Sequence, residues 1–92
     1  MTDAVILAML KIDLGIATGA YDERLAQYIQ VAKAEIQREG ITLNTEASVD
    51  DAQLVIMMSA WMWRKRADGE GMPRMLRYAL NNRLFSEKMA QS

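Results

Sequence analysis

The chain has 92 residues, of which 51% are apolar and 25% charged, with one proline, five glycines, no cysteine and no histidine. This length and composition are typical of a single globular domain, residues 1–92, and exclude a disordered chain. Disulfides, zinc sites of the usual kind and Ser-His or Cys-His catalysis are excluded because they need cysteine or histidine. We therefore expect no catalytic residue, no metal site and no cofactor.

Neither the N-terminus nor the most apolar segment predicts contact with a membrane. The N-terminus has no cationic region ahead of its apolar stretch, so it does not resemble a secretory signal. The longest apolar run, Leu54–Trp63, is ten residues and includes Ser59, whereas a membrane span needs about twenty. We expect a soluble protein with no membrane partner.

The two halves of the chain carry opposite net charge. Residues 1–50 have four basic and eight acidic side chains (−4), whereas residues 51–92 have seven basic and four acidic ones (+3). Such opposed halves suit a protein that contacts copies of itself or two unlike partners. The isoelectric point near 5.3 does not indicate a strong nucleic-acid-binding surface.

The first predicted helix runs from about Asp3 to Lys11, with Thr2 or Asp3 as its cap. Glycines at positions 15 and 19 predict a loop after it. Four apolar residues are expected on one face of this helix: Val5, Ile6, Met9 and Leu10.

The second predicted helix has the clearest amphipathic pattern in the chain. It begins near Asp22, which can cap it, and Gly40 suits the left-handed position just beyond its end, with Ile41 folding back on Ile36. The apolar stripe follows the i, i+3, i+4 rule at Leu25, Tyr28, Ile29, Ala32 and Ile36.

The third predicted helix follows a loop over 41–47 and extends to about Arg66. Ser48 and Asp51 suggest a capping box, in which Ser48 bonds forward and Asp51 reaches back. Between Leu54 and Trp63 the helix is apolar nearly all round, and such a helix needs cover on every side. Either it is the central helix of the domain, or part of it contacts another subunit.

The fourth predicted helix begins at Pro73, after a turn at 68–71, and its last residues, 89–92, are expected to fray. Its apolar stripe is Leu76, Ala79, Leu80 and Leu84. Since no strand pattern or internal repeat is visible, the predicted fold is all-α. We expect a small bundle of about four helices around a central apolar helix.

Two short motifs have a structural interpretation that outweighs a chemical one. Asp50 and Asp51 lie at a helix N-terminus, where acidic side chains cap the helix and complement its dipole. The glycines at 69 and 71 do not predict a phosphate loop, because they follow a helix rather than a strand.

Trp61 and Trp63 are candidate interface residues. They are two residues apart, or about 200° around a helix, so they do not readily point the same way. Core packing is the alternative interpretation, but one tryptophan is expected to face away from the subunit's own core, since aromatic residues are enriched at interfaces.

A cluster of cations accompanies the tryptophans. Arg64, Lys65 and Arg66 lie at a helix C-terminus, whose negative dipole end favours them. Arg74 and Arg77 lie in the first turns of the next helix, where the dipole disfavours positive charge. We expect them to pair with carboxylates, either within the subunit or across an interface.

Four stretches together resemble a known family. They are KIDLGI, YDERLAQYIQVAKAEI, the apolar helix that runs into WMWRKR, and MPRMLRYALNNRLF. In this order they resemble the head–tail connector, or adaptor, proteins of long-tailed bacteriophages, which are also described as DNA-packaging proteins. The resemblance covers nearly the whole chain, is strongest over Asp22–Ile36 and Ala60–Phe85, and rests on layout rather than on a chemical signature.

The resemblance implies a non-enzymatic structural subunit of the virion neck, synthesised in the cytoplasm of a bacterial host, including from a prophage. Roughly a dozen copies would form a ring that extends the DNA channel. Its partners would be other copies, the portal protein, a downstream neck or tail-completion protein, and phage DNA passing without sequence specificity. The implied interface residues are Arg64, Lys65, Arg66, Arg74 and Arg77, with Trp61 or Trp63.

Two alternatives and one departure accompany this expectation. Many members of the family contact the portal through a longer C-terminal extension, which a sequence ending at Ser92 lacks. A nucleic-acid-binding module, with the turn at 68–72 leading into a reading helix, is the second hypothesis. A small enzyme is the third, and it has the least support because carboxylates, tyrosines and lysines form no convergent set.

Overall fold

The computed structural model describes the backbone of residues 1–68 and 71–91, and the side chains of 1–65 and 71–90. Within these residues there is no strand, and the chain forms an all-α bundle, as predicted. No helix in this part of the chain is both long and apolar enough to cross a membrane. The four helices are α1 (Asp3–Leu14), α2 (Asp22–Arg38), α3 (Val49–Asp68) and α4 (Arg74–Gln91).

Helix α3 is central and packs against each of the other three helices. Contacts between side chains show in which direction the neighbouring helices run. Lys33 of α2 bonds Asp3 near the start of α1, so α1 and α2 are antiparallel. Arg83 of α4 bonds Asp51 near the start of α3, and Trp61 bonds the backbone just before α4, so α4 is antiparallel to α3.

The middle of α3 is covered by the chain's own helices. Between positions 52 and 60, six apolar side chains are at most 5% exposed, and only Met57 among the apolar ones is half-buried. Of the two predicted explanations for an all-round apolar helix, the central position is therefore observed over this segment. The six buried side chains are Ala52, Leu54, Val55, Ile56, Met58 and Ala60.

Helix α1 differs from its prediction in length and in the face that it buries. It continues three residues beyond Lys11 and ends at Leu14, where Gly15 takes the left-handed conformation (φ 71°) that favours glycine. Ile6 and Leu10 are fully buried, but Val5 and Met9 are exposed. Only two of the four residues predicted for the apolar face are therefore buried by the rest of the chain.

Helix α2 follows its prediction except at its start. Its apolar stripe is buried at Leu25, Ile29 and Ile36, and Gly40 has a positive φ of 102°. Asp22, however, is the first helical residue rather than the cap, and its carboxylate forms an ion pair with Lys11 at 2.8 Å. The helix dipole and the ion pair both stabilise the charged Asp22 carboxylate at this position.

The start of α3 has only half of the predicted capping box. The Asp51 N–H donates to Ser48 Oγ (3.2 Å), as predicted. The Asp51 carboxylate does not reach back to Ser48. It accepts instead from the Asn44 N–H (2.9 Å) and from Arg83, and the Ser48 N–H donates to the Asn44 carbonyl (2.9 Å).

The end of α3 and the start of α4 differ from their predicted positions by one or two residues. Helix α3 ends at Asp68 rather than near Arg66, and α4 begins at Arg74, directly after Pro73. The Arg77 N–H donates to the Pro73 carbonyl, so proline is the residue that precedes the helix rather than its first member. It still fixes the backbone where the helix starts.

Candidate interaction surfaces

Arg83 anchors α4 to the bundle from within. Its guanidinium donates to Asp51 Oδ1 at 2.7 Å, to the Thr42 carbonyl at 2.8 Å and to Glu87 Oε1 at 3.3 Å. The Asp51 side chain is only 2% exposed, and its hydrogen bond is the main reason that the pKa of Arg83 is raised. The contact joins the loop before α3, α3 itself and α4.

Arg77 and Arg64 also find partners inside the chain. Arg77 meets the Glu39 carboxylate through two hydrogen bonds of 3.1 and 3.3 Å, so its predicted carboxylate lies within the subunit. Arg64 donates to the Asp13 carbonyl at 3.2 Å, and thereby satisfies one of the carbonyls left open at the end of α1. Both cations contribute to packing between helices.

The other candidate cations differ in how well they are held. Lys65 lies 5.0 Å from the centre of the Trp61 ring, a cation–π contact. Arg74 is exposed and forms no ion pair with any residue whose side chain is described. The side chain of Arg66 lies outside the described residues.

The two tryptophans face different neighbours, as their angular separation requires. Trp63 packs edge-to-face against Tyr21 and Tyr28, with ring centres 5.4 and 5.8 Å apart, and so closes the contact between α2 and α3. Trp61 donates its indole N–H to the Gly71 carbonyl at 3.1 Å. It lies at the end of the molecule where α3 turns back into α4.

Two shallow clefts flank Trp61. One, of about 260 Å³, lies between α3 and the start of α4 and is bordered by Asp13, Arg64 and Met75. The other, of about 310 Å³, reaches α2 at Val31. No group of three or more acidic side chains that could hold a metal occurs among the residues described. Apolar walls with a few charges at the rim suit a side chain of a protein partner.

Helix α4 presents a second apolar stripe on the side opposite its buried one. The buried stripe contains Leu76 and Leu80, each 1% exposed. The outward stripe has Met75, Tyr78, Phe85 and Met89, which are 74%, 59%, 65% and 61% exposed. With Asn82 their spacing is 3, 4, 3, 4, the pattern of a coiled-coil seam. We call these five residues the outer α4 stripe: Met75, Tyr78, Asn82, Phe85 and Met89.

Helix α1 carries a smaller uncovered stripe. Val5, Met9 and Ile12 are 45%, 36% and 73% exposed, and Ala8 is exposed between them. Val5, Met9 and Ile12 lie on the side of α1 away from Leu7, which faces α2, and Ala8 lies at the edge of that side. We call them the outer α1 stripe: Val5, Ala8, Met9 and Ile12.

Sequence reasoning did not identify either stripe as a candidate site. The signal for the outer α4 stripe was present in the spacing of Met75, Tyr78, Asn82, Phe85 and Met89. It was overlooked because the same helix has an inner stripe that satisfies the usual one-sided pattern.

The outward side of α4 favours a protein partner over DNA. A helix that contacts DNA presents cations and polar groups to phosphates and bases. Here Arg77 and Arg83 are engaged with carboxylates of the same chain, whereas the exposed side presents thioether and aromatic groups. The outward side of α4 therefore offers the nucleic-acid hypothesis only two flanking cations, Arg74 and Lys88.

Comparison with protein-family models, with curated proteins and with solved structures finds no match for this chain. The likeness to phage connectors therefore rests on the sequence stretches alone, and the described residues define a small all-α protein with two exposed apolar stripes.

Proposed function

We propose that this chain is a structural, non-enzymatic subunit of a phage head–tail connector ring. In this role it joins the portal vertex to the tail and extends the DNA channel. The observation that carries the proposal is the outer α4 stripe, a row of four exposed apolar side chains and Asn82. The resemblance of the sequence to connector proteins supplies the kind of assembly.

The size of the stripe supports a role in assembly. Single exposed apolar residues are normal on protein surfaces, but contiguous patches of a few hundred Å² mark interaction sites. Two aromatic rings that are about 60% exposed and two methionines present together on the order of 400 Å². Leu76 and Leu80 on the inner side of the same helix are each 1% exposed, so α4 is packed on the bundle and the patch lies on its outer side.

The candidate interface residues divide into two groups under this proposal. Arg74, Lys65 and Trp61 are the ones best placed for a portal or neck protein, since they border the clefts or form no ion pair with a side chain that the structure describes. Arg64 and Arg77 are expected to act mainly inside the subunit, where they have partners.

Contact with DNA in the channel would be weak and independent of sequence. Phosphate binding needs several unpaired cations on one surface, whereas Arg77 and Arg83 are neutralised by Glu39 and Asp51. Neutralisation of these two arginines weakens the hold of this helix on DNA, and weak contact lets DNA slide past.

The test of the proposal is genetic. The gene should lie between portal and tail genes, and its deletion from the phage or prophage that carries it should yield DNA-filled heads and separate tails under electron microscopy. Complementation with the wild-type gene should restore virions, and a copy with an early stop codon should not. Normal virions without the gene, or neighbours unrelated to phage assembly, would refute the proposed function.

A further inference from the structure

We infer that copies of this chain join head to tail, with the outer α1 stripe of one copy packed on the outer α4 stripe of the next. The inference rests on the proposed function only for the closure of the assembly into a ring. The pairing itself follows from the two uncovered stripes. A contact between two different surfaces can be repeated from copy to copy, and it closes when the rotation permits.

The two stripes are complementary in side-chain size. The outer α4 stripe presents large groups, among them Tyr78 and Phe85, whereas the outer α1 stripe is shallow at Val5 and Ala8. Both follow the 3, 4 spacing that lets side chains of one helix fit between those of another. The α1 stripe is about 10 Å long and the α4 stripe about 21 Å, so α1 covers roughly half of its partner.

Charge fixes the direction of the pairing. Arg74 is the first residue of α4 and Asp13 lies in the last turn of α1, so each charge opposes the dipole of its own helix. Both residues are exposed, and neither side chain has an ion pair among those described. Antiparallel packing of α1 on a neighbouring α4 brings Asp13 beside Arg74, and each charge then compensates the other.

Pairing of α4 with the α4 of another copy explains less. It leaves the outer α1 stripe exposed, and the residues that flank the outer α4 stripe include Arg74 and Lys88 but no carboxylate. An antiparallel α4 pair would place these cations together, and like charges at a helix seam are unfavourable. Such a pair would also end at a dimer.

The first experiment mixes two variants that each destroy one stripe. Tyr78→Glu blocks the half of the α4 stripe that α1 covers and Ile12→Glu blocks the α1 stripe, and both positions are exposed (59% and 73%), so the fold is retained. Alone, each variant should be monomeric by native mass spectrometry. Mixed in equal amounts, they should form a 1:1 heterodimer and nothing larger, because only one intact interface remains.

Two outcomes of this mixture would overturn the inference. If the Ile12→Glu variant alone forms a dimer, α4 pairs with α4. If the wild-type chain assembles while the mixture stays monomeric, other surfaces form the contact. Circular dichroism and urea unfolding of both variants establish that the fold is intact.

A second experiment detects the pairing when the wild-type chain is monomeric at ordinary concentration. Since the chain has no cysteine, an Ile12→Cys chain can be mixed with a Tyr78→Cys chain and oxidised. Mixed disulfide dimers should exceed, several-fold, those from a matched control in which Val31→Cys, exposed on α2, replaces Ile12→Cys. No excess over the control would refute the inference.

The charge contact has its own test. Asp13→Arg or Arg74→Asp alone should reduce the mixed disulfide yield, and the two substitutions combined should restore it, since the pair is then reversed. Failure of the pairing and failure of the proposed function are distinguishable. Mixed disulfides with normal virions after gene deletion refute only the phage role, whereas absent disulfides with tail-less heads refute only the pairing.

Discussion

Helices α3 and α4 both carry apolar side chains on more than one face, but they differ in what covers them. In α3, the apolar side chains between 52 and 60 are buried except for Met57, because α1, α2 and α4 all pack against this helix. Helix α4 packs mainly on α3, so only its inner stripe is buried. The outer stripe of α4 remains exposed to solvent.

The difference shows that position in the bundle decides whether apolar surface stabilises the monomer. Burial removes apolar area from water and contributes free energy of folding roughly in proportion to that area. Side chains on the outer α4 stripe contribute little in the monomer, but they can contribute the same free energy when a partner covers them. Matched substitutions on the two helices should therefore change the free energy of unfolding by different amounts.

The largest expected difference in the free energy of unfolding is between removing an apolar side chain from α3 and removing one from the outer α4 stripe. Ile56→Ala, at a position of α3 that is 1% exposed, should lower the free energy of unfolding by about 3 kcal/mol, because it leaves a cavity. Met75→Ala on the outer α4 stripe, at 74% exposure, should change it by less than about 0.5 kcal/mol. Urea unfolding followed by circular dichroism measures both. A large loss at Met75 would show that the stripe is buried in solution.

The second prediction compares the loss of unfolding free energy when each of two arginines of α4 is replaced. Arg83→Met should cost about 3 kcal/mol, because it leaves the buried Asp51 carboxylate without its cation. Arg77→Met is the matched control and should cost at most about 1 kcal/mol, since its pair with Glu39 is exposed at 41% and 32%. Adding Asp51→Asn to Arg83→Met should recover part of the loss in the same unfolding experiment. Equal losses of unfolding free energy for the two arginines would contradict the distinction between a buried ion pair and an exposed one.

The smallest effect concerns pH at the junction of α1 and α2. The hydrogen bond from Lys33 is the main reason that the pKa of Asp3 is lowered below 3.8, against the opposing effect of desolvation. Near that pH the unfolded chain binds more protons, so the stability due to this pair is present above it and is lost as the pH falls through the folded value. Because Asp3 is 52% exposed, the contribution should be below about 1 kcal/mol.

A double-mutant cycle checks this contribution. Asp3→Asn should flatten the loss of stability below about pH 4, as measured by urea unfolding at several pH values. Lys33→Gln in the Asp3→Asn background should then cause no further change in the pH dependence. A full acid-induced loss in the Asp3→Asn variant would show that other carboxylates account for it.

Local signals in the sequence predicted most of the fold. The apolar stripe of α2 and the positive φ of Gly40 follow from residue spacing and from glycine's freedom at a helix end. The ends of α1 and α3 were wrong by two or three residues, because propensity alone does not fix where capping stops a helix.

The interaction surfaces were less predictable because they depend on contacts between distant residues. Asp51 was expected to cap α3, yet it also holds Arg83, which is 32 positions further along the chain, and no local spacing encodes that pair. The apolar character of α3 predicted a need for neighbours, but not which helices would supply them. Uncovered apolar surface was expected near Trp61 and Trp63, whereas the longest row lies on α4.

The dimensions of the molecule have a thermal consequence. Its Cα positions extend 45 × 29 × 17 Å, so the domain is a plate about two helices thick. Such a plate gains little from further internal packing, and each kcal/mol added at its edge raises the melting temperature by roughly 4–8 °C for a domain of this size. The pairing inferred above therefore predicts a melting temperature that rises with protein concentration.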